Sequence, residues 1–490
     1  MPAPTFDNSY ARLSDKFYTR QPPTPVDRPG SIRINRELAG YLGVDGQWLA
    51  SDEGIATVAG NHVPAGAEPL AAVYAGHQFG SYNPQLGDGR AVLLGEVLAG
   101  DGRRFDIQLK GSGPTPYSRG GDGRSALGPV VREYIVSEAM AALQVPTTRA
   151  LAAVTTGERV ARETLLPGGV LARVASSHIR VGTVEYFAAR GETDALQELT
   201  NHVIARHFPE CADSDNPTLH MLQAIIGRQA ELIARWQLLG FIHGVMNTDN
   251  MLLCGETVDY GPCAFMDTFN PAQVYSSIDH AGRYAYRNQP GMGHWNLSRL
   301  AQSLLPLLDD NQERAIEQAQ AAINGFPALF LDAHSRGLAQ KLGLAALADD
   351  DTALVEDLFA TMASQHLDFT LTFAQLTDLA EDDTSNDRLS DDYPVPPALE
   401  PWLARWRARL QTDSLTPGDR VRRMRQANPV FIARNHQVEA AIAAAYQGDF
   451  AAFHAMVDLL EAPLTYRADL ASYAAPPQPE EIVQQTFCGT

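Results

Sequence analysis

Cysteine is scarce in this chain. Four residues in 490, Cys211, Cys254, Cys263 and Cys488, are no disulfide framework, and no two have C-x-x-C spacing. A disulfide-stapled secreted domain and a structural zinc site are both disfavoured. So sparse a count suits a reducing compartment, and a cytoplasmic location is expected. Long apolar runs are missing too: no stretch of 18 apolar residues occurs, so no membrane span is expected. The opening residues Met1-Pro-Ala-Pro-Thr-Phe-Asp-Asn8 have neither a basic n-region nor an apolar h-region, and no signal peptide is expected. Positive charge is in deficit, with 38 Lys and Arg against 58 Asp and Glu, a net charge of −20 and a pI near 5.0. General affinity for nucleic acid or for an anionic membrane is thereby excluded, although a local basic pocket is not. No internal repeat is present.

What remains is an ordinary globular composition, 45% apolar and 20% charged. The length exceeds what one core usually supports, so two or three lobes are expected. Pro22, Pro23, Pro25 and Pro29 make residues 1–30 read as an extended arm laid on the body. Ala91–Leu98 and Arg104–Lys110 read as neighbouring strands, and the Gly/Pro/Ser-rich stretch Gly111–Arg124 as a long binding loop. A helix opens at Pro129 and ends near Leu143, with Val131, Ile135, Ala139 and Ala142 on one face. A second spans 223–239, buries Ile225, Leu232, Ile233, Trp236 and Leu239, and is capped by Gly240. Beyond about 295 the pattern turns helical, with an acidic, exposed break at Glu381–Asp392 and a Pro-rich tail after Ala475.

Directly after the 223–239 helix comes His243-Gly-Val-Met-Asn-Thr-Asp249-Asn250, and then Asp259-Tyr260-Gly261. Together they resemble a protein-kinase catalytic loop and its metal-binding triplet, but Val245 stands where the catalytic Asp belongs. Asp249 is the remaining carboxylate able to take a proton. Lys110 ends a strand and Glu133 sits near the start of the next helix, the order in which kinases hold a phosphate-binding lysine. Asn250 and Asp259 are hard oxygen donors suited to Mg2+, and Mn2+ also fits. Gly87, Gly89 and Arg90 in one glycine-rich stretch, and Asp122 and Gly123 in another, are phosphate-loop candidates, though G-D-G also marks plain hairpin turns. Arg173 and Arg180 either close on polyphosphate or are surface residues or salt-bridge partners. His77 reads as a hydrogen-bonding histidine, Asp267 as structural, and Arg434-Asn435-His436 as a buried polar cluster. Cys263 and Cys488 are either inert thiols or, if the tail folds back over the cleft, a reversible disulfide. The expected fold class is α+β: a bilobal protein-kinase-like fold with an N-terminal extension (1–70), an N-lobe (71–160), a C-lobe core carrying the catalytic and metal loops (161–310) and a helical C-terminal region (311–490).

The chain resembles bacterial members of the selenoprotein O family of protein adenylyltransferases, kinase-fold proteins once called pseudokinases. The resemblance covers almost the whole chain. It is carried by Tyr74-Ala-Gly-His-Gln-Phe-Gly80, Leu86-Gly-Asp-Gly-Arg90, Gln108-Leu-Lys-Gly-Ser-Gly113, His243–Asn250, Asp259-Tyr-Gly-Pro-Cys-Ala-Phe265, Asn428-Pro429 and Arg434-Asn-His436. Cys488 lies third from the end, where eukaryotic relatives carry selenocysteine. The resemblance implies ATP bound in reverse relative to kinases, with AMP passing to a Ser, Thr or Tyr hydroxyl of a protein and pyrophosphate leaving. It implies that Gly87, Gly89, Arg90, Lys110, Asp122, Gly123, Arg173, Arg180 and Asp259 contact ATP. Asp249 then accepts the proton, Asn250 and Asp259 hold Mg2+, and Cys263 with Cys488 forms a redox pair. ATP and hydroxyl-bearing proteins are the expected partners, with no nucleic acid and no membrane; the oligomeric state is left open. Two readings compete with AMP transfer: a kinase moving the γ-phosphate, disfavoured by Val245 and the extra arginines, and a catalytically silent ATP-binding pseudokinase, disfavoured by the complete Lys110, Glu133, Asn250 and Asp259 set.

Overall fold

Short β-prone runs in the first third of the chain build one antiparallel sheet. The computed structural model describes residues 4–381 and 389–487. Its strands are β1 Tyr18–Arg20, β2 Gly30–Ile34, β3 Leu70–Ala72, the small hairpin β4 Gly76–Gln78 and β5 Ser81–Asn83, β6 Ala91–Leu98, β7 Arg104–Lys110, β8 Ser125–Ala126, β9 Arg149–Ala161 and β10 Leu165–Ala175. The sheet order is β1-β3-β6-β7-β10-β9-β2, with β8 added beside β10. The two runs read as neighbouring strands are β6 and β7, and they pair antiparallel. The architecture is α+β.

The proline-rich start does more than lie on the body. Tyr18–Arg20 pairs with β3 and Gly30–Ile34 with β9, so the N-terminal segment covers both sheet edges. The prolines fall between these strands, leaving β1 and β2 the N–H donors that proline lacks.

Alternation along the strands decides what faces the site. Ile107 and Leu109 of β7 and Ala172 and Val174 of β10 join Leu38, Trp48 and Val58 of the N-terminal helices in one apolar cluster. Gln108 and Lys110 therefore point the other way. Arg173 is register partner to Gln108, which puts it on that same face. Over it lies the helix Leu127–Ala142, the carrier of Glu133. This helix is buried nearly all round because the helices Asn435–Tyr446 and Ala451–Leu460 pack on its far side. Arg132 donates to Asn435 at 2.9 Å and pairs with Glu439. A Cβ on Gly128 would come within 2.3 Å of the Tyr446 hydroxyl.

The second expected helix begins earlier than its apolar stripe, at Pro217, because Asn216 caps it by accepting from the Leu219 N–H at 3.1 Å. It ends at Leu239, and Gly240 takes the left-handed conformation (φ 67°) that turns the chain into β11, Phe241–Ile242. β11 pairs antiparallel with β12, Ala264–Phe265. That pairing draws the His243–Asn250 and Asp259–Gly261 segments together. From Gln289 onward the described chain is mainly helical. Thr486 in the tail pairs with the loop after β12: its N–H donates to Tyr275 O at 2.7 Å, and its hydroxyl to Pro262 O at 2.7 Å. Residues 382–388 of the acidic break lie outside the described residues, as does Cys488. No helix among the described residues is long and apolar enough to cross a membrane.

One buried cation in the C-terminal region has a measurable consequence. Lys341 is 2% exposed, donates to Ala427 O at 3.2 Å, and lies 4.2 Å from the Phe373 ring centroid. Burial pushes its pKa from 10.5 down to about 7. That fall is on the order of 5 kcal/mol of unfavourable burial, and attraction to the ring returns ~1–2 kcal/mol. Between pH 7 and 10.5 the unfolded chain holds the extra proton, so the cost is full below pH 7 and fades as pH rises to 10.5. Lys341→Met is therefore expected to stabilise the fold by ~3 kcal/mol at pH 6 and hardly at all at pH 10.5. Denaturant titrations at the two pH values measure this, and an equal effect at both rules out the buried charge as the cause.

Candidate active site

Lys110 closes β7 and reaches two carboxylates, Glu133 at 2.5 Å and Asp259 at 2.9 Å. Arg173, from β10, contacts Asp259 at 2.6 Å and Glu133 at 3.2 Å, and is oriented by Nε donating to Gln108 Oε1 at 2.8 Å. Arg180 caps the following helix Val181–Ala188 and meets the other Asp259 oxygen at 2.7 Å, its guanidinium lying 4.8 Å from the Tyr74 ring centroid. Arg173 and Arg180 are 2% and 3% exposed, so neither is a surface ion-pair residue. Burial by itself raises Asp259, but Arg173, Lys110 and Arg180 overcome it and hold the carboxyl well below its usual range. Glu133 is likewise lowered against its burial, by Lys110 and Arg173. Three cations thus share two carboxylates, leaving an excess of positive charge inside an acidic protein. Asp259 also has a left-handed backbone (φ 63°), a conformation that persists in a non-glycine residue only where its surroundings hold it.

Every nucleotide, metal and base candidate named from the sequence lines one cleft of about 660 Å³: Gly87, Gly89, Arg90, Lys110, Asp122, Gly123, Glu133, Arg173, Arg180, Asp249, Asn250 and Asp259. The glycines have a packing reason as well as a chemical one. A Cβ on Gly87 would sit 2.5 Å from the Tyr117 ring, one on Gly89 2.7 Å from Tyr117 O, and one on Gly123 2.1 Å from Gly113. Bare backbone lets the 87–90 turn and the 111–124 loop interlock, and Thr115 Oγ1 donating to Asp88 O at 2.7 Å ties them. Asp122, at the cleft's outer edge, pairs with Arg162 at 2.8 Å.

On the opposite wall, His243 is buried and hydrogen-bonded through Nε2 to Val258 O at 2.9 Å, joining the two loops. Val245, in the same loop, is 6% exposed. Asp249 accepts from Gln78 Nε2 at 2.9 Å through Oδ2, while its Oδ1 is buried without a partner. Burial pushes its pKa up to about 6, opposed by Gln78 and Arg180.

Gln78 is the contact that sequence reading missed. It belongs to the β4–β5 hairpin, which clamps the catalytic-type loop: His77 N donates to Thr248 Oγ1 at 2.7 Å, and Phe79 N to Asn247 Oδ1 at 3.1 Å. Gly76 faces Asp249 so closely that a Cβ would lie 3.0 Å from Oδ1. His77 is hydrogen-bonding as expected, with Nδ1 2.5 Å from Glu185, which also accepts from Thr248 at 2.5 Å.

The donor set suits a hard divalent cation. Asn250 donates its amide to Val245 O at 3.0 Å, which leaves Oδ1 as the atom for a ligand. Asp259 is ionised, and Asp249 Oδ1 lacks a partner. Among the described residues no cluster of three His, Cys, Asp or Glu exists to cage a metal, so an ion here would draw its remaining ligands from phosphate and water, the habit of Mg2+. Cys263 is buried behind this loop. Asp267 meets Arg434 at 2.5 Å in a polar cluster with Asp368, away from the cleft.

The family model described as "Protein adenylyltransferase SelO" matches residues 3–461. Proteins named "Protein nucleotidyltransferase YdiU" are similar over nearly the whole chain. The one from Bradyrhizobium diazoefficiens is 56% identical over 486 residues, covering 99% of both chains. That from Rhizobium etli is 56% identical over 486 residues, covering 99% of this chain and 97% of its own. One from Rhodopseudomonas palustris is 56% identical with 99% of both covered.

Proposed function

We propose how this chain, which belongs to the SelO family of protein adenylyltransferases, uses its cleft to move AMP from ATP onto protein. The activity is that of a nucleotidyltransferase. The acceptor is a Ser, Thr or Tyr hydroxyl. Its oxygen attacks the α-phosphorus, the bond from that phosphorus to the bridging oxygen of the β-phosphate breaks, and pyrophosphate departs with the electron pair. Asp249 takes the hydroxyl proton on Oδ1, its unpartnered oxygen, and Gln78 holds the carboxylate in position. Lys110, Arg90, Arg173 and Arg180 bind the β- and γ-phosphates and neutralise the charge that grows on them as they leave. Gly87, Gly89, Asp122 and Gly123 shape the loops around the nucleotide. Asn250 and Asp259 would hold Mg2+, which supplies charge neutralisation on the phosphates when bound.

The observation that carries this reading is the crowding of Lys110, Arg173 and Arg180 onto Asp259, beside an Asp249 whose carboxyl is raised by burial and whose Oδ1 has no partner. The first group suits a leaving polyphosphate and the second suits proton abstraction. The order of strands, lysine, Glu133 helix, catalytic-type loop and Asp-Tyr-Gly supports a bilobal kinase-like architecture, with 71–160 and 161–310 as its lobes and 1–70 and 311–490 as extensions. The sparse cysteines support a cytoplasmic setting.

Incubation with α-labelled and, separately, γ-labelled ATP tests the chemistry. Label is expected in protein from the α position only. Label from γ alone makes the chain a kinase, and nucleotide binding with neither transfer makes it silent.

A further inference from the structure

Two half-buried arginines near the cleft lack the carboxylate partner that the fully buried arginines Arg132, Arg173, Arg180 and Arg434 each have. Arg283 and Arg299 flank Trp295, their guanidinium carbons 4.8 and 5.2 Å from its ring centroid. Neither has a carboxylate within ion-pair reach among the described residues, and the Nε of each is buried without a hydrogen-bond partner. Asp279, the closest acid in sequence to Arg283, spends its oxygens on the backbone N–H groups of Arg283 and Tyr284, at 2.9 and 2.8 Å. In a protein with 58 acidic residues and a net charge of −20, two guanidiniums that share one indole and have no acid are unlike Arg173, Arg180, Arg206 and Arg434, each of which is paired.

Their position matters as much as their charge. Trp295 meets the His77 ring at 5.3 Å, in the hairpin that clamps Asp249. Arg283 lies against Gly80 at the tip of that hairpin, 3.5 Å from where a Cβ would stand. Phe79, which packs on Tyr284 at 5.2 Å, lines the cleft, and so does Ile278, 54% exposed in the same loop as Arg283. Arg283 therefore lies beside the residues that line the cleft next to Asp249, and Arg299 is joined to it through Trp295.

We propose that Arg283 and Arg299, both packed against Trp295, form a docking site for carboxylate side chains of the protein acceptor, so that acidic sequence around the hydroxyl selects the substrate. Packing against the indole restrains each guanidinium, and with Nε buried it is the terminal nitrogens that are offered to a carboxylate. The local positive charge also offsets the repulsion that a chain of this net charge exerts on an acidic partner. This inference rests on the acceptor being a protein.

Two peptides with one tyrosine acceptor test it, one flanked by glutamates and the other by glutamines at the same positions. The full-length protein is expected to bind the glutamate peptide about tenfold more tightly in fluorescence anisotropy without ATP, and to show the same ratio in KM. Arg283→Gln/Arg299→Gln is expected to erase the ratio while leaving the affinity for ATP unchanged. The Arg283→Lys/Arg299→Lys protein keeps part of it. Equal affinity of the wild-type protein for the two peptides overturns the docking site, whatever the variants do. A glutamate preference in binding with no AMP transferred to either peptide leaves the docking site standing and instead removes the adenylyltransferase assignment.

Discussion

Asp249→Asn is expected to lower AMP transfer by about 10²–10⁴-fold, the usual worth of a positioned general base, with ATP still bound. Asparagine keeps the size of the side chain and an oxygen for Gln78, whose contact at 2.9 Å survives. What disappears is the proton acceptor alone. Transfer from α-labelled ATP measures the loss, and calorimetric titration of ATP measures the retained binding. Wild-type turnover in the variant removes Asp249 from the reaction. The same exchange should also strengthen the fold. In the native chain burial raises this carboxyl from 3.8 to about 6, so between those values the folded state holds a proton that the unfolded state releases. Stability from this group is complete below pH 3.8 and is lost as pH rises through 6, leaving a cost of ~3 kcal/mol at pH 8. In metal-free and nucleotide-free protein, Asp249→Asn is therefore expected to unfold at higher denaturant concentration than wild type at pH 8 and at nearly the same concentration at pH 4. A variant that is inactive and also less stable at pH 8 marks the residue as structural.

Asp259→Ala is expected to have the larger structural effect and an equally complete functional one. The substitution leaves Lys110 and Arg173 on Glu133 and removes the one carboxylate that Arg180 pairs with. Breaking such a buried set costs about 3–5 kcal/mol, most of it from charges left without a counterion. Transfer should fall to background because a hard donor and an organising anion go together. ATP binding separates this account from simple unfolding. Asp259 occupies the cations that the phosphates need, so without a divalent ion ATP competes with a resident carboxylate. The variant is thus expected to bind ATP more tightly than wild type in chelator and to gain less from added Mg2+. Isothermal titration in EDTA and in Mg2+ gives both affinities. Weaker binding by a folded variant in EDTA contradicts the competition.

The parts of this site that were legible in the sequence are those encoded locally. Strand β6 is an apolar run and β7 alternates apolar with polar residues, both bounded by glycine, and Gly240 ends its helix with the residue type that takes φ 67° most readily. Lys110 and Glu133 could be paired on paper because a strand and the next helix are neighbours in the chain. Asp249, Asn250 and Asp259 sit within one short stretch, and β11 with β12 brings them close. The roles of Arg173 and Arg180 were harder to see. β9 and β10 are buried on both faces over much of their length, so they lack the period of two that marks a half-buried strand. Nothing local distinguished a cation lying on Asp259 from one facing solvent. Gln78 reaches Asp249 across 171 residues, and an uncharged amide in a glycine-rich hairpin carries no chemical signature of its own. The N-terminal strands, three and five residues long, were hidden by the prolines between them. The tail cysteine Cys488 lies beyond the described residues, so its pairing with Cys263 stays with the family resemblance.

The helix that bears Glu133 is wrapped on its outer side by residues 435–460. A chain that stops before residue 435 would bare that face, with Tyr134 losing the Phe453 ring 5.4 Å away, so a fragment ending after Gly261 is expected to be less stable than the full chain.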